Sequence, residues 1–496
     1  ATPVTLPSGT SLPLSEVARV SFGPSEPASE WMRLDGAPAV ALGVVPRPAV
    51  NLIDLGHAVD GVVASFNASE TVVAEYIAFQ PARVESRLRD LGRSMLWGVA
   101  SVAAVLFIFM GPRLGFAVAS VVPLVTFSSL ALYAMGGGVL HQMSIAAMVL
   151  ALGLLVDAAI VMSEDVQVRL DRGESRRDAA RGAIASLAIP LGSATGTTVA
   201  AFVPMLLAPG PTGDFTRSLP IVILTTLAVS YAYAVTVTPA VSALVLKPVT
   251  ARAGRPPGAL VRLSGRLATE RPVAVVVAAA LLIGGAALFV PHIRLQFFPS
   301  TDRNELIVSV EFPEGTHVAT TDAASRVMEA ELQAQPTVQS VAAFVGRGVP
   351  YFYYNLVQKP QRPHLAQLLV TTARPEDVDE VVAHVRAVAP ELLPGVTVVA
   401  QRIEQGPPVA APIEFRVYGD DLAAIGRVAN SLRETLAGVP GAVDVRTDHS
   451  LGVPALRYVV DDAVAARAGL TRSDVAVALL AQTRGLRVGE LRSGDD

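Results

Sequence analysis

Six apolar runs of roughly twenty residues or more, the length of helix that crosses a bilayer, leave this chain few ways to fold. They occupy residues 94–112, 114–135, 143–163, 182–208, 218–246 and 272–291. With 51% hydrophobic and 17% charged residues the chain is too apolar for an ordinary soluble protein. The stretches outside the runs are too polar to lie in lipid, so a membrane core with extramembrane domains is expected. Loops after the first, third and fifth runs carry Arg113; then Arg169, Arg172, Arg176, Arg177 and Arg181; then Lys247, Arg252, Arg255, Arg262, Arg266 and Arg271. The intervening loops hold Arg217 alone. The positive-inside rule therefore assigns the basic loops to the cytoplasm and residues 1–92 and 292–496 to the far side. Arg83, Arg87, Arg89 and Arg93 follow a long exported segment, where that rule has little force. Within residues 247–271, Leu260, Leu263 and Leu267 interleave with Arg262 and Arg266, a pattern suited to a helix lying in the interface.

The third run contains an acid in the wrong solvent. Between Arg113 and Asp157 the titratable side chains are Tyr133 and His141. A carboxylate at mid-bilayer costs about 2.5–3.5 kcal/mol on insertion scales, so one that persists there usually has a task. The plainer reading is an interfacial acid that ends a helix. Low dielectric disfavours the charged form, which pushes such a group toward neutrality and suits it to carry a proton. Glu164 lies seven residues on, on roughly the same face, as a relay member or a solvated helix end. Ser193, Thr195, Thr197 and Thr198 in the fourth run either line a water path or allow close helix packing. His141 reads as an interfacial residue beside the Gly136–Gly138 turn.

Outside the membrane, residues 305–403 follow the order β-α-β-β-α-β, the ferredoxin-like split unit. Strands are expected at 305–310, 338–344, 365–371 and 396–402. The first helix, near 320–334, sets Ala324, Val327, Met328 and Leu332 on one face, and the second carries Val378, Val381, Val382, Val385 and Val388. The pattern restarts after 404, with strands at 413–417, 443–447 and 455–460 and a helix bearing Leu422, Ile425, Val428, Leu432 and Leu436. Residues 1–92 read as the second half of a similar module: a hairpin at Asp35-Gly36, an Asn51-capped helix and a strand at 71–79. Net charge is −4, which offers no field for nucleic acid, and the chain has no cysteine. Disulfides, thiolate metal sites and a cysteine nucleophile are thereby excluded. An initial Ala1 and a terminus that closes no element read as a piece of a longer chain.

Several segments, in one order, resemble the resistance-nodulation-division efflux transporters. Gly153-Leu154-Leu155-Val156-Asp157-Ala158-Ala159-Ile160-Val161 with Glu164 looks like that family's fourth-helix motif. Ala201-Phe202-Val203-Pro204-Met205 and Thr238-Pro239-Ala240 resemble its fifth- and sixth-helix signatures. Phe297-Phe298-Pro299 and Phe312-Pro313-Glu314-Gly315-Thr316 match the start of its second porter region. Leu14-Ser15-Glu16-Val17-Ala18-Arg19-Val20 resembles a strand upstream of its second helix, with Glu16 for the usual Asp. Residues 346–354, with Gly346, Gly348, Tyr351, Phe352, Tyr353 and Tyr354 following Phe344, resemble the glycine-rich loop of its substrate cleft. Departures are Ala158 where many drug exporters carry a second acid, and Asp165 where Asn is usual.

The resemblance implies a polytopic α-helical protein of a Gram-negative inner membrane with periplasmic porter subdomains. The chain would run from the first porter module through helices two to seven into a docking subdomain. The resemblance also implies proton-coupled efflux of small amphiphiles, a homotrimer, a periplasmic adaptor and an outer-membrane channel, with protons as the coupling ion and no cofactor. A Lys on a helix of the other half would be the counter-charge of Asp157. The rival within the superfamily is heavy-metal efflux. Soft metals want thioether or thiolate ligands; residues 292–496 offer Met328 alone, which argues against Cu(I) or Ag(I), while zinc held by His317, His364 or carboxylates is only weakly disfavoured. A non-exporting accessory translocation subunit would keep the proton path but lack a cleft, so residues 346–354 separate it from an exporter. No nucleophile–base pair, phosphate loop or HExxH motif points to an enzyme.

Overall fold

The computed structural model describes residues 3–5, 9, 11–19, 28–47, 50–69, 72–248, 259–293, 301–406, 413–449, 452 and 455–486. Phe297-Phe298-Pro299 lies outside them. Ala1–Val44 and Ser300–Asp496 form one unit and Val45–Pro299 another. At the start, β1 (Pro3–Thr5) pairs antiparallel with β2 (Ser11–Pro13). Pro13 has no N–H with which to extend the ladder, and Leu14–Val17 wind into one turn, α1, where a strand was expected. Asp35 and Gly36, at φ 51° and 83°, then reverse the chain between β3 (Trp31–Leu34) and β4 (Ala37–Pro38). Two consecutive positive φ values are the signature of the tight hairpin turn that Asp-Gly favours.

In the Val45–Pro299 unit, α2 (Leu52–Ser69) is capped as expected, with the Ile53 N–H donated to the Asn51 side chain at 3.0 Å. Residues 72–79 form no strand. The Asn67 amide takes both backbone groups of Ala74, at 2.7 and 2.9 Å, and so occupies the bonds a ladder would need. Next comes α3 (Gln80–Met135), 56 residues that hold the first two apolar runs. Gly111, at φ 79° and ψ 169°, breaks it in a region open to glycine alone. A Cβ on Gly115 would stand 3.0 Å from the Leu106 carbonyl oxygen. A straight helix would separate those residues by about 13 Å, so the two arms of α3 fold back on each other.

The later runs form α4 (Gln142–Asp171), α5 (Arg176–Leu206), the short α6 (Gly210–Thr216), α7 (Ser218–Val235), α8 (Val237–Val245), α9 (Ala259–Glu270) and α10 (Pro272–Ala287). Five helices among the described residues are long and apolar enough to cross a membrane, α3 with two runs in one. The fifth run is divided at Thr236 between α7 and α8. Helix α4 is the most enclosed, packed by α3, α5, α7 and α8, whereas α10 buries no described residue.

In the other unit, β5 (Glu305–Glu311), α11 (Val318–Gln333), β6 (Val338–Val345), β7 (Leu365–Thr372), α12 (Val378–Leu392) and β8 (Thr397–Arg402) follow in that order. One antiparallel sheet runs β4-β3-β6-β7-β5-β8. Helices α11 and α12 cover one face, where Leu306, Val308, Met328, Leu332, Leu368 and Val385 are fully buried. Burial of each such side chain contributes about 1.5–3 kcal/mol. Val327, expected on that face, is 44% exposed; Ala324, Met328 and Leu332, four residues apart, already fill the stripe. The sheet also takes in the β3–β4 hairpin from before the membrane helices, so that hairpin belongs with residues 301–406 and not with a module ending at residue 92. Helices α13 (Leu422–Ala437), α14 (Asp462–Arg467) and α15 (Arg472–Arg484) come last. The strands expected at 413–417, 443–447 and 455–460 are absent among the described residues, because no neighbouring strand offers them a ladder.

Candidate functional site

Helix α4 starts at His141, whose Nδ1 accepts the Met143 N–H at 3.3 Å while Ser144 Oγ accepts the His141 N–H at 2.9 Å. His141 is therefore a cap. One side of α4 is built for contact: Ala147, Ala151, Ala159 and Ser163 are small and buried, which lets neighbouring backbones approach. Hydroxyls tie that side down. Ser230 on α7 donates to the Leu155 carbonyl at 2.9 Å, and Ser242 on α8 to Ser163 Oγ at 3.0 Å. The opposite stripe, Leu150, Gly153, Leu154, Asp157, Val161, Glu164 and Val168, is exposed at helical spacing. Both acids expected in a relay thus share one uncovered face, about 10 Å apart along the axis. Asp157 has no hydrogen bond or ion pair with any described residue.

Other polar residues of the membrane unit have local duties. Asp165, where the resemblance predicts Asn, pairs with Arg169 at 2.8 Å and accepts from Ser186 at 3.2 Å, which fastens the end of α4 to α5. Ser193, Thr197 and Thr198 donate to carbonyls of their own helix at 2.8–3.1 Å. Ser193 and Thr197 are exposed, so these bonds favour neither the packing reading nor the water path.

The second candidate lies on the sheet face away from α11 and α12. Alternation sends Val399, Ser309, Gln367, Phe344 and Met32, one from each of five adjacent strands, to this face in a single cross-strand row. Phe344 is fully buried there, a wall residue and not an exposed one. After β6 the chain crosses this face as a strap. The Gly346 N–H reaches the Leu365 carbonyl at 2.8 Å and the Val349 N–H reaches Gln367 Oε1 at 2.9 Å. Tyr353 is buried with its ring 4.1 Å from the Arg303 guanidinium, which pairs with Glu305 at 2.9 Å. Burial pushes the Tyr353 hydroxyl above the ordinary tyrosine range. Beyond the last strand, Tyr354 Oη accepts the Gly406 N–H at 3.1 Å and Asn355 donates to the Glu404 carbonyl at 2.8 Å.

The two glycines serve close approach. Gly346 has φ 80°, and a Cβ there would collide with the Ser29 carbonyl oxygen; one on Gly348 would stand 2.9 Å from Gln367 Oε1. Tyr351 and Tyr354 remain open to solvent, Phe352 partly so, and Tyr353 turns inward. The run of four aromatics is therefore split between anchoring and display. Gln367 and Arg303 were not singled out from sequence, although a glutamine inside Leu365-Ala366-Gln367-Leu368-Leu369-Val370 is the kind of local conflict that marks a task.

A bundle of membrane-length apolar helices, together with a separate α/β unit, is the architecture of a polytopic membrane protein with extramembrane domains. The model of the AcrB/AcrD/AcrF family matches residues 3–495, and the chain belongs to that family of resistance-nodulation-division permeases. Among similar proteins are the multidrug resistance protein MdtC of Yersinia pestis bv. Antiqua (strain Angola), 24% identical over 97% of this chain and 47% of its own, and that of Pantoea ananatis (strain AJ13355), 25% identical with the same coverage. MdtC of Serratia proteamaculans (strain 568) is 24% identical over 94% of this chain and 46% of its own. The chain spans about half the length of the curated relatives it matches.

Proposed function

We propose that the protein carrying this sequence exports small amphiphilic compounds across a Gram-negative inner membrane in exchange for protons. The observation that carries this reading is the position of Asp157: on α4, packed by four helices, and on the one stripe they leave uncovered. A carboxylate on such a face is free to meet a counter-charge from helices of another half, a Lys by resemblance. Its two protonation states then favour different packings, which couples proton passage to movement elsewhere. Glu164 extends the path toward the cytoplasmic end. The solvent-open Tyr351 and Tyr354, with Phe352 between them and Phe344, Gly346 and Gly348 holding the frame, form one wall of the substrate cleft. Apolar and aromatic walls accept varied ligands because burial is non-directional.

In the same reading the β5–β8 unit is a ferredoxin-like porter subdomain in the periplasm, residues 404–496 run toward a docking subdomain, and α9 lies in the cytoplasmic interface. The assembly is a trimer working with an adaptor and an outer-membrane channel, as the family membership supports. Metal export is less favoured: Met328 is sealed in the core, and the His317 ring caps α11 by accepting the Ala319 N–H at 3.2 Å. Asp157→Asn in the full-length protein is expected to abolish efflux, measured as dye accumulation in cells, while leaving membrane level and oligomeric state unchanged. Undiminished efflux by that variant would refute the proton assignment.

A further inference from the structure

Gln367 is a polar side chain in the middle of a buried sheet face, 6% exposed. Its neighbours in register are Ser309 on β5 and Phe344 on β6. Both ends of its amide are used. Nε2 donates to Ser309 Oγ at 2.9 Å, and Oε1 accepts the Val349 N–H at 2.9 Å. Ser309 anchors the amide to the sheet and Val349 belongs to the strap, so the length of one side chain sets how far the strap stands off the sheet. Secondary contacts gather at the same point. Gln358 Nε2 donates to the Val349 carbonyl at 3.1 Å, and Lys359 pairs with Glu311 at 3.1 Å. Gly348 leaves no room for a Cβ between the strap and Gln367 Oε1. Two residues beyond Val349, Tyr351 stands 56% exposed.

We propose that Gln367 is a specificity-determining positioning residue: it latches the strap so that Tyr351 is held at a fixed height over the cleft. This rests on the reading of residues 346–354 as a cleft wall. An apolar replacement leaves the N–H of Val349, a residue now 4% exposed, with no partner on the sheet. A buried donor without an acceptor is costly enough that the strap must lift to hydrate it. Compounds that pack against Tyr351 then lose a wall, while those that do not are unaffected.

The chain itself has no cysteine, so in full-length protein whose cysteines elsewhere are replaced by serine a nitroxide can be placed at a single engineered site. Tyr351→Cys reports on the strap, and Glu380→Cys, on the exposed side of α12, reports on the subdomain. Introduction of Gln367→Leu is expected to narrow the spectrum of the Tyr351 label and leave that of the Glu380 label as it was. In the chain that retains Tyr351, Gln367→Leu is expected to change the ratio of resistance to bulky and small amphiphiles by roughly fivefold, the loss of one buried hydrogen bond. Protein level in the membrane should hold. An unchanged Tyr351 spectrum overturns the latch, and so do spectra that narrow at both sites, since Gln367 would then be an ordinary core residue. A mobile strap with an unaltered resistance ratio overturns the specificity role and the cleft reading beneath it, while efflux lost with Asp157→Asn would leave the proton reading standing.

Discussion

Arg33 sits on β3 with 2% of its side chain exposed, held by Glu329 at 2.8 Å, by Ser325 Oγ at 2.8 Å and by Asp322. Glu329 also accepts the Gly36 N–H at 2.8 Å, so the same carboxylate fixes the hairpin turn. Removal of one member of a buried pair strands the other, at a cost of about 3–5 kcal/mol. Arg33→Leu should therefore lower the thermal unfolding midpoint of the purified full-length protein, with Arg347→Leu, whose pair with Glu30 is exposed, within about 0.5 kcal/mol of the parent. Equal midpoints for the two variants would contradict the assignment. His141 gives a pH dependence. Burial lowers its pKa from the ordinary 6.5, and the helix start it caps repels positive charge. The folded state thus binds its proton less readily than the unfolded one, and the cap's contribution is complete above about pH 6.5 and lost as pH falls through the depressed value. Melting between about pH 7.5 and about pH 5 should show a smaller drop for His141→Asn, which caps without titrating. The place of Asp157 on a membrane-length helix was legible from its surroundings alone, because one charge among apolar neighbours stands out. Gln367 was not, since only the strap that folds over it reveals what it holds.

At the scale of elements, the turn between the arms of α3 is set by contact of one backbone with another. Gly115→Val would drive its side chain into the Leu106 carbonyl, an overpacking penalty of about 1–3 kcal/mol. The fraction of monodisperse protein on size-exclusion chromatography in detergent is expected to fall, and an unchanged profile would mean that the arms are free to separate. Length and hydropathy located the membrane helices well, for bilayer thickness imposes the same requirement on each. Element order likewise located β5 through β8. Alternation failed at 72–79, 413–417, 443–447 and 455–460, because a strand depends on partners that the local sequence does not name. In the first of these Asn67 offered Ala74 a nearer bond than any ladder could.

Across the whole molecule, the family was readable from motifs spread along the chain, and what they missed is long-range. No local pattern says that β3 would lie beside β6, or that Arg33 would meet Glu329, 296 residues later. The close approach at Gly346 and Gly348 was hidden for the same reason: what they make room for, Ser29 and Gln367, comes from elsewhere in the chain. The hairpin also carries a consequence in time. At a translation rate of about 5–20 residues per second, roughly 15–60 s separate the synthesis of Arg33 from that of its carboxylate partners. Throughout that interval β3 is an unfinished edge with a bare guanidinium, unable to settle. Closing so long a loop is slow, so the β3 segment must be kept from pairing with the wrong strand until the right one is made.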